Sequence, residues 1–397
     1  MTTITQVGKT IPLSHPEITD EDISSVVSVL RTSRLSLGPK LLEFEEKFAS
    51  YAGARFAVAV NSGTSGLHLA VKSLGIGEHD AVITSPFSFI ASANCILYEN
   101  ALPVFVDIEP KTFNIDPQKI EEFLRERCTR ESGTGLPVDP ATGRRIRAIL
   151  PVHVFGHPCD MGKIMAMAKE FGLAVIEDSC EALGAEYKGR KAGTMGAAGV
   201  FAFYPNKQMT TGEGGIIVTD DEEIAALCGS LRNQGRAINS GWLDHERLGY
   251  NYRLSDINCA LGISQLGRID SILRKRAEVA AHYNRILGDL VATPRTLTGS
   301  KRSWFVYVVC LPAGTGRTRR DGVLAGLSGR GIGCNNYFPP IHLQTFYRNR
   351  FGYREGDFPV TEDVAARTIA LPFHNNLGED DIAYVAESLR DIVHRLS

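Results

Sequence analysis

Between residues 56 and 177, short β-rich runs alternate with helical patterns, and this alternation restricts the fold more than any other feature of the chain. FAVAV (56–60), AVIT (81–84), LPVFV (102–106), RAILPV (147–152) and LAVIE (173–177) have the length and residue types of strands. Between several of them, at 64–74, 88–98 and 161–171, apolar residues recur at helical spacing. Strands joined through helices pair in parallel, so the expected fold class is α/β, a mostly parallel central sheet with flanking helices. Two helices are expected ahead of it, over 19–31 behind Thr19 and Asp20, and over 41–53 closed by Gly53.

The pattern changes after about residue 255. A long helical stretch (254–290), a strand-like run WFVYVVCLP (304–312), a helix near 320–329 and a C-terminal helix (379–395) make a smaller α+β segment. We expect a large domain over 1–255, including the N-terminal segment, and a small C-terminal domain over 256–397. The polar, Gly/Pro-containing stretch 125–147 is off-pattern and reads as an exposed loop or insertion.

Composition removes several classes of partner. Of 397 residues 43% are hydrophobic and 22% charged, with a formal net charge of −2, which gives neither nucleic acid nor an acidic membrane a basic surface to bind. No apolar run reaches the ~18 residues of a membrane span, and MTTITQVGKTIPLSHP lacks the apolar core of a signal peptide. The eight cysteines (95, 128, 159, 180, 228, 259, 310 and 334) form no C-x-x-C pair, and most sit in apolar runs. Buried reduced thiols and a cytoplasmic location are expected, and no metal site.

Four segments carry chemistry. Lys207, in GVFAFYPNKQMTTGEGG (199–215), follows an apolar β-rich run and precedes a Gly-rich turn, which places an amine at a sheet edge. Asp178, in LAVIEDSCEALGAEY (173–187), ends a strand, where open α/β sheets bind ligands; a helix N-cap is the competing role. In AVAVNSGTSGLHLAVKSL (57–74) a strand runs through Asn-Ser-Gly-Thr-Ser-Gly into a helix, whose free N–H groups suit an anion. Gly63 allows close approach there, and Thr64 and Ser65 add hydroxyls. It is neither a Walker A loop nor a G-x-G-x-x-G fingerprint. In SPFSFIASANCIL (85–97), Phe87 or Phe89 offers a flat group, with a core role as the alternative. His153, in PVHVFGHP, suits support of a loop better than chemistry. An amine, a carboxylate, an anion-binding turn and an aromatic face are what a pyridoxal-phosphate (PLP) site requires of a protein.

Taken together these segments resemble the DegT/DnrJ/EryC1/StrS sugar aminotransferase family, PLP enzymes of fold type I. The likeness runs from ITDEDISSVVSVLRTSRLSLGPKLLEFEEKFA through NSGTSGLHLA, SPFSFIASAN, PVHVFGHPCDM, VIEDSCEALGA, FYPNKQMTTGEGG and LGYNYRLSDINCALGISQL to YFPPIHLQ and ALPFHNNL. It implies a homodimer with shared active sites and PLP as cofactor, cycling through pyridoxamine phosphate. Lys207 matches the Schiff-base lysine, Asp178 the partner of the ring nitrogen, Phe89 the stacking aromatic, and Gly63, Thr64 and Ser65 the phosphate loop. Asn251 matches a residue that reaches the neighbouring subunit's phosphate. Tyr337 and His342 lie where the family contacts its sugar. Two positions depart from the common pattern: Ala202 stands where many members have serine, and Glu181 where glutamine or histidine is frequent near the ring hydroxyl.

The resemblance implies transfer of an amino group from glutamate to a keto sugar linked to a nucleotide, with a 4-keto acceptor favoured over a 3-keto one. An aminocyclitol enzyme acting on a keto-inositol is an alternative. Sugar dehydratases of the family carry histidine in place of the lysine, so Lys207 argues against that reaction. A PLP-binding regulator without turnover fits poorly with an intact lysine, aspartate and GEGG turn.

Overall fold

The alternating runs become strands because their β-branched and aromatic side chains pack on both faces of one sheet. The computed structural model describes residues 9–237 and 244–396; residues 1–8, part of the N-terminal stretch read above, lie outside it. Among the described residues the main path of the sheet runs through β1 (Phe56–Val60), β2 (Asp80–Thr84), β3 (Leu102–Phe105), β4 (Arg144–Ile149), β5 (Ala174–Asp178), β6 (Ala198–Ala202) and β7 (Gly215–Thr219), in the order β1-β7-β6-β5-β4-β2-β3. β7 is antiparallel to both its neighbours, and β2–β3, β2–β4, β4–β5 and β5–β6 pair in parallel.

Alternate residues of each strand face opposite ways, except that β4 carries one extra residue, Arg147, opposite β2, which turns Ile146 and Ala148 to different faces. Val58, Val82, Ala148, Ile176, Val200 and Ile217 join one core with the helix Gly63–Ser73. On the other face, Ala81, Ile83, Ile146 and Val175 pack on the helix Met161–Phe171. Beside them, Phe201, Phe203, Ile216 and Val218 pack with the helices Pro39–Ala52 and Asp256–Gly267. Helices thus cover the sheet on both sides, as the α/β reading requires. Thr19 caps the helix Asp20–Leu30 through a reciprocal pair with Asp22.

Beyond it, β8 (Tyr307–Cys310) and β9 (Thr368–Leu371) pair antiparallel. The helices Ile269–Leu287, Arg317–Ser328 and Glu379–Arg395 surround them with a core that includes Tyr283, Leu327 and Leu389. Ile11 from the N-terminal segment is buried in the same core. The stretch read as a loop at 125–147 is partly ordered: Thr129–Arg130 pairs with Pro137–Asp139, which pairs with β4. β4 accordingly begins at Arg144, three residues before the expected start. All eight cysteines are free; Cys128, Cys180 and Cys334 are only partly buried.

Candidate active site

β1, β5 and β6 run in one direction, since β7 opposes both β1 and β6 while β6 parallels β5. Their carboxyl ends meet on one edge of the sheet, the ligand edge of α/β folds. The register fixes the layout there. Gly215 faces Val60 on one side and Ala202 on the other, and Val200 faces Asp178.

The turn after β1 is held from within. Ser62 caps the helix by accepting from the Ser65 amide at 3.1 Å, and the Gly66 amide donates to the Ser62 carbonyl. The Ser65 hydroxyl lies 2.7 Å from Asn61 Oδ1 and 2.8 Å from Ser62 Oγ, so it braces the turn. That leaves the amides of Gly63 and Thr64 at the positive end of the helix for an anion. Two glycines let the turn and the strand ends pack this closely. A Cβ on Gly63 would stand 2.7 Å from Ala202 Cβ and 2.9 Å from Cys180 Sγ, and one on Gly215 would meet the Ser62 carbonyl and the Gly63 nitrogen within 2.7 Å.

Lys207 lies on the loop between β6 and β7, which is tied by Phe203 N to Gly214 O and Thr211 N to Phe203 O. Its ammonium stands 3.8 Å from the centre of the Phe305 ring and 3.7 Å from Glu181 Oε1. Glu181 is buried, and its Oε2 accepts from the Phe155 amide at 2.8 Å. Burial raises its pKa above the ordinary carboxylate value, although Lys207 and the Phe155 N–H both oppose the rise. Phe155 is itself held at φ 55°, a left-handed conformation that costs a bulky residue about 1–3 kcal/mol. Tyr337 stacks on Phe305, and its hydroxyl pKa is raised by burial and by the charge of Glu181.

Asp178 closes β5, 5% exposed. Oδ1 accepts from the Cys180 amide at 3.1 Å and Oδ2 from the Ser92 hydroxyl at 2.8 Å, so both oxygens are oriented. The two phenylalanines read as alternatives separate cleanly: Phe87 is fully buried in the core and Phe89 is 62% exposed. His153 is buried with Nε2 3.0 Å from Glu177, whose carboxylate also accepts from the amides of Gly193 and Gly196; it supports a loop.

Two other expected residues sit apart from the lysine. Asn251 has its carbonyl near Asn61 Nδ2 (3.4 Å) and is exposed, while Tyr250 and Tyr252 on either side stack on each other against His68. His342 is fully buried, with Nε2 3.0 Å from Glu362 and its ring against Phe358. Sequence reasoning missed Ser92, Phe155 and Phe305. Ser92 lay within a quoted motif, but a serine in a helical pattern carries no signal of what it touches. Phe305 was absorbed into a strand-like run.

The family model for the DegT/DnrJ/EryC1/StrS aminotransferase family matches residues 16–390. The chain belongs to this family. It is 38% identical to the spore coat polysaccharide biosynthesis protein SpsC of Bacillus subtilis, over 96% of this chain and 97% of that one. Against the GDP-perosamine synthase of Caulobacter vibrioides it is 35% identical, over 96% and 98%. Among solved structures, the PLP form of Spr1654 from Streptococcus pneumoniae superimposes with a TM-score of 0.89 at 26% identity, covering 98% of this chain and 100% of that one. The protein is a PLP-dependent aminotransferase with the fold-type-I architecture of its family.

The residues present fit that cofactor. The Gly63 and Thr64 amides stand at a helix N-terminus suited to its phosphate, Lys207 is a partly buried amine, and Asp178 is an oriented carboxylate. Among the described residues no group of three or more His, Cys, Asp or Glu side chains is placed to hold a metal, and no helix is long and apolar enough to cross a membrane.

Proposed function

We propose that this aminotransferase moves an amino group from glutamate to a nucleotide-linked keto sugar, with a 4-keto acceptor. The observation that carries the reading is the amine of Lys207, 3.8 Å from the centre of the Phe305 ring and 3.7 Å from Glu181 on the ligand edge of the sheet. Similarity to a GDP-perosamine synthase and to a polysaccharide biosynthesis protein supports a sugar acceptor.

When bound, PLP supplies an electron sink for the pair left at the donor's α-carbon. The chain's own residues do the rest. The amides of Gly63 and Thr64 would hold the phosphate, Asp178 would keep the ring nitrogen protonated, and Phe89 would lie against the ring. Lys207 Nζ takes the proton from the donor's α-carbon in the first half of the cycle. In the second half it delivers a proton to the carbon that was the acceptor's carbonyl. Tyr337 faces the same space and contacts the sugar. His342, buried on Glu362, reaches substrate only by holding its loop.

We also propose a cytoplasmic homodimer in which Asn251 completes the partner's phosphate site. Tyr250 and Tyr252 are turned onto their own protomer, which leaves the Asn251 side chain outward. We propose that a large domain expected over 1–255 extends through the helix Asp256–Gly267, which packs on the sheet, and that the small one follows.

The deciding experiment supplies the purified holoenzyme with glutamate and a panel of 4-keto and 3-keto nucleotide sugars and keto-inositols. We expect 2-oxoglutarate to appear in step with an aminated 4-keto sugar, identified by mass. No 2-oxoglutarate with any acceptor would sink the donor assignment, and amination of a keto-inositol alone would replace the acceptor.

A further inference from the structure

We infer that Ser92 is a positioning residue for the cofactor's ring: its hydroxyl sets the Asp178 carboxylate, and its amide anchors the turn that carries Phe89. This rests on reading Asp178 and Phe89 as the groups that meet the ring nitrogen and the ring face.

A serine hydroxyl has one proton and two acceptor positions. Ser92 Oγ lies 2.8 Å from Asp178 Oδ2, 3.2 Å from the Phe89 carbonyl and 3.1 Å from Ser88 Oγ. The carboxylate is the nearest of these acceptors and the charged one, so it takes the proton. Ser88 then donates either to Ser92 Oγ or to the Phe89 carbonyl, 3.1 Å away. In the first case the hydroxyls run unbroken from Ser88 to the carboxylate; in the second Ser88 holds the Phe89 carbonyl and Ser92 holds the carboxylate. Ser88 is 2% exposed, Ser92 1% and Asp178 5%, so water does not compete for these bonds. Phe89, held between the two serines, is by contrast mostly exposed. The Ser92 amide also donates to the Phe89 carbonyl, which fixes the same turn from the backbone. Asp178 Oδ1 is set independently by the Cys180 amide, so loss of the Ser92 hydroxyl frees one oxygen and leaves the other held. The carboxylate can then rotate about its remaining bond.

The test compares holoenzymes of wild type, Ser92→Ala, Ser92→Thr and Asp178→Asn, reading PLP affinity by titration and visible cofactor absorbance against pH. For Ser92→Ala we expect the dissociation constant to rise about tenfold and the midpoint of the absorbance titration to move by about one pH unit. Ser92→Thr, which keeps the hydroxyl, should restore both. An apo Ser92→Ala protein that melts lower while its holo titration matches wild type would assign the hydroxyl to packing and overturn the proposal. So would wild-type affinity and titration in a well-folded Ser92→Ala. Should Ser92→Ala fail to fold, Ser92→Cys, a similar shape with a weak donor, must show the same two shifts in part, and a wild-type titration there would overturn the inference. If Asp178→Asn left affinity and titration unchanged, the reading of Asp178 itself would fall, and this inference with it.

Discussion

Glu181 Oε1 stands 3.7 Å from Lys207 Nζ, while its other oxygen accepts from the Phe155 amide at 2.8 Å. This buried carboxylate is anchored by one oxygen and faces the reactive amine with the other. Burial raises its pKa above the ordinary 4.5 despite both contacts. A carboxyl raised on folding contributes stability that is fully present below about pH 4.5 and is lost as pH rises through the folded value. The apo Glu181→Gln protein should therefore melt level with wild type near pH 4 and about 1–2 °C above it at pH 8. In the holoenzyme the same change should remove one limb of the cofactor's absorbance-versus-pH curve. Differential melting across that pH range and a spectral titration check the two halves separately.

Glu177, four residues earlier, has the opposite sign. Burial raises its pKa, but His153 and the amides of Gly193 and Gly196 outweigh that and hold it below 4.5. A lowered carboxyl contributes stability above the unfolded value that is lost as pH falls through the folded one. Glu177→Gln should cost about 3 kcal/mol at pH 7, as expected for one partner removed from a buried pair. The gap should narrow below about pH 4.5. Urea unfolding of the apo protein at pH 7 and at pH 4 measures it, and a gap independent of pH would refute the assignment.

The parts of the fold that were legible in the sequence are those whose signal is local. β5 ends on Asp178, and the helix Glu379–Arg395 has the limits its periodicity gives. What escaped depends on distant neighbours. β4 begins at Arg144 among charged residues, because Arg144 and Arg145 stay only partly buried while pairing there with Pro137–Asp139. GIIVT of β7 is rich in β-branched residues, but only its pairing shows that it runs against both neighbours. In the site, Lys207, Asp178 and Gly63 could be read from strand ends and a helix start. Phe305, about a hundred residues downstream, meets Lys207 only through tertiary packing. Phe87 and Phe89 carry equal signals in sequence, and the turn between them decides which is buried.

Gly63→Ala should weaken the cofactor more than the fold. The added carbon meets Ala202 Cβ and Cys180 Sγ at 2.7 and 2.9 Å, atoms carried on or beside a strand end rather than on flexible side chains. Overpacking of this kind costs about 1–3 kcal/mol. The shift needed to relieve it moves the two amides left for the phosphate. We expect the PLP dissociation constant to rise at least about tenfold, with apo unfolding changed by about 1–3 kcal/mol. Equilibrium dialysis with PLP, set against urea unfolding, separates the two effects.

If Asn251 serves the partner's site, two inactive variants should rescue each other. In a mixed dimer of Lys207→Ala with Asn251→Ala, one site carries both defects and the other carries none. Random exchange gives half the dimers as mixed, each with one intact site of two, so activity should return to about a quarter of wild type. Homodimers of either variant stay inactive throughout. A mixture that remains silent after demonstrated subunit exchange would return Asn251 to its own protomer.

Ala202→Ser tests whether the cradle was built for one more donor. Ala202 ends β6 beside Gly215 and is only partly buried, so a hydroxyl there has room. Its Cβ lies against the position that a Gly63 side chain would fill, at the positive end of the Gly63–Ser73 helix. A hydroxyl on that carbon can donate to an anion held by the Gly63 and Thr64 amides. One added hydrogen bond to a charged acceptor is worth about 1 kcal/mol or somewhat more after desolvation, so the PLP dissociation constant should fall about fivefold. The apo protein should unfold as before, because without the anion the hydroxyl gains nothing. Titration of PLP into wild type and Ala202→Ser at matched salt decides it. An unchanged constant would place the phosphate away from residue 202, and a weaker one would mean that the space beside Gly63 is already filled by the backbone alone.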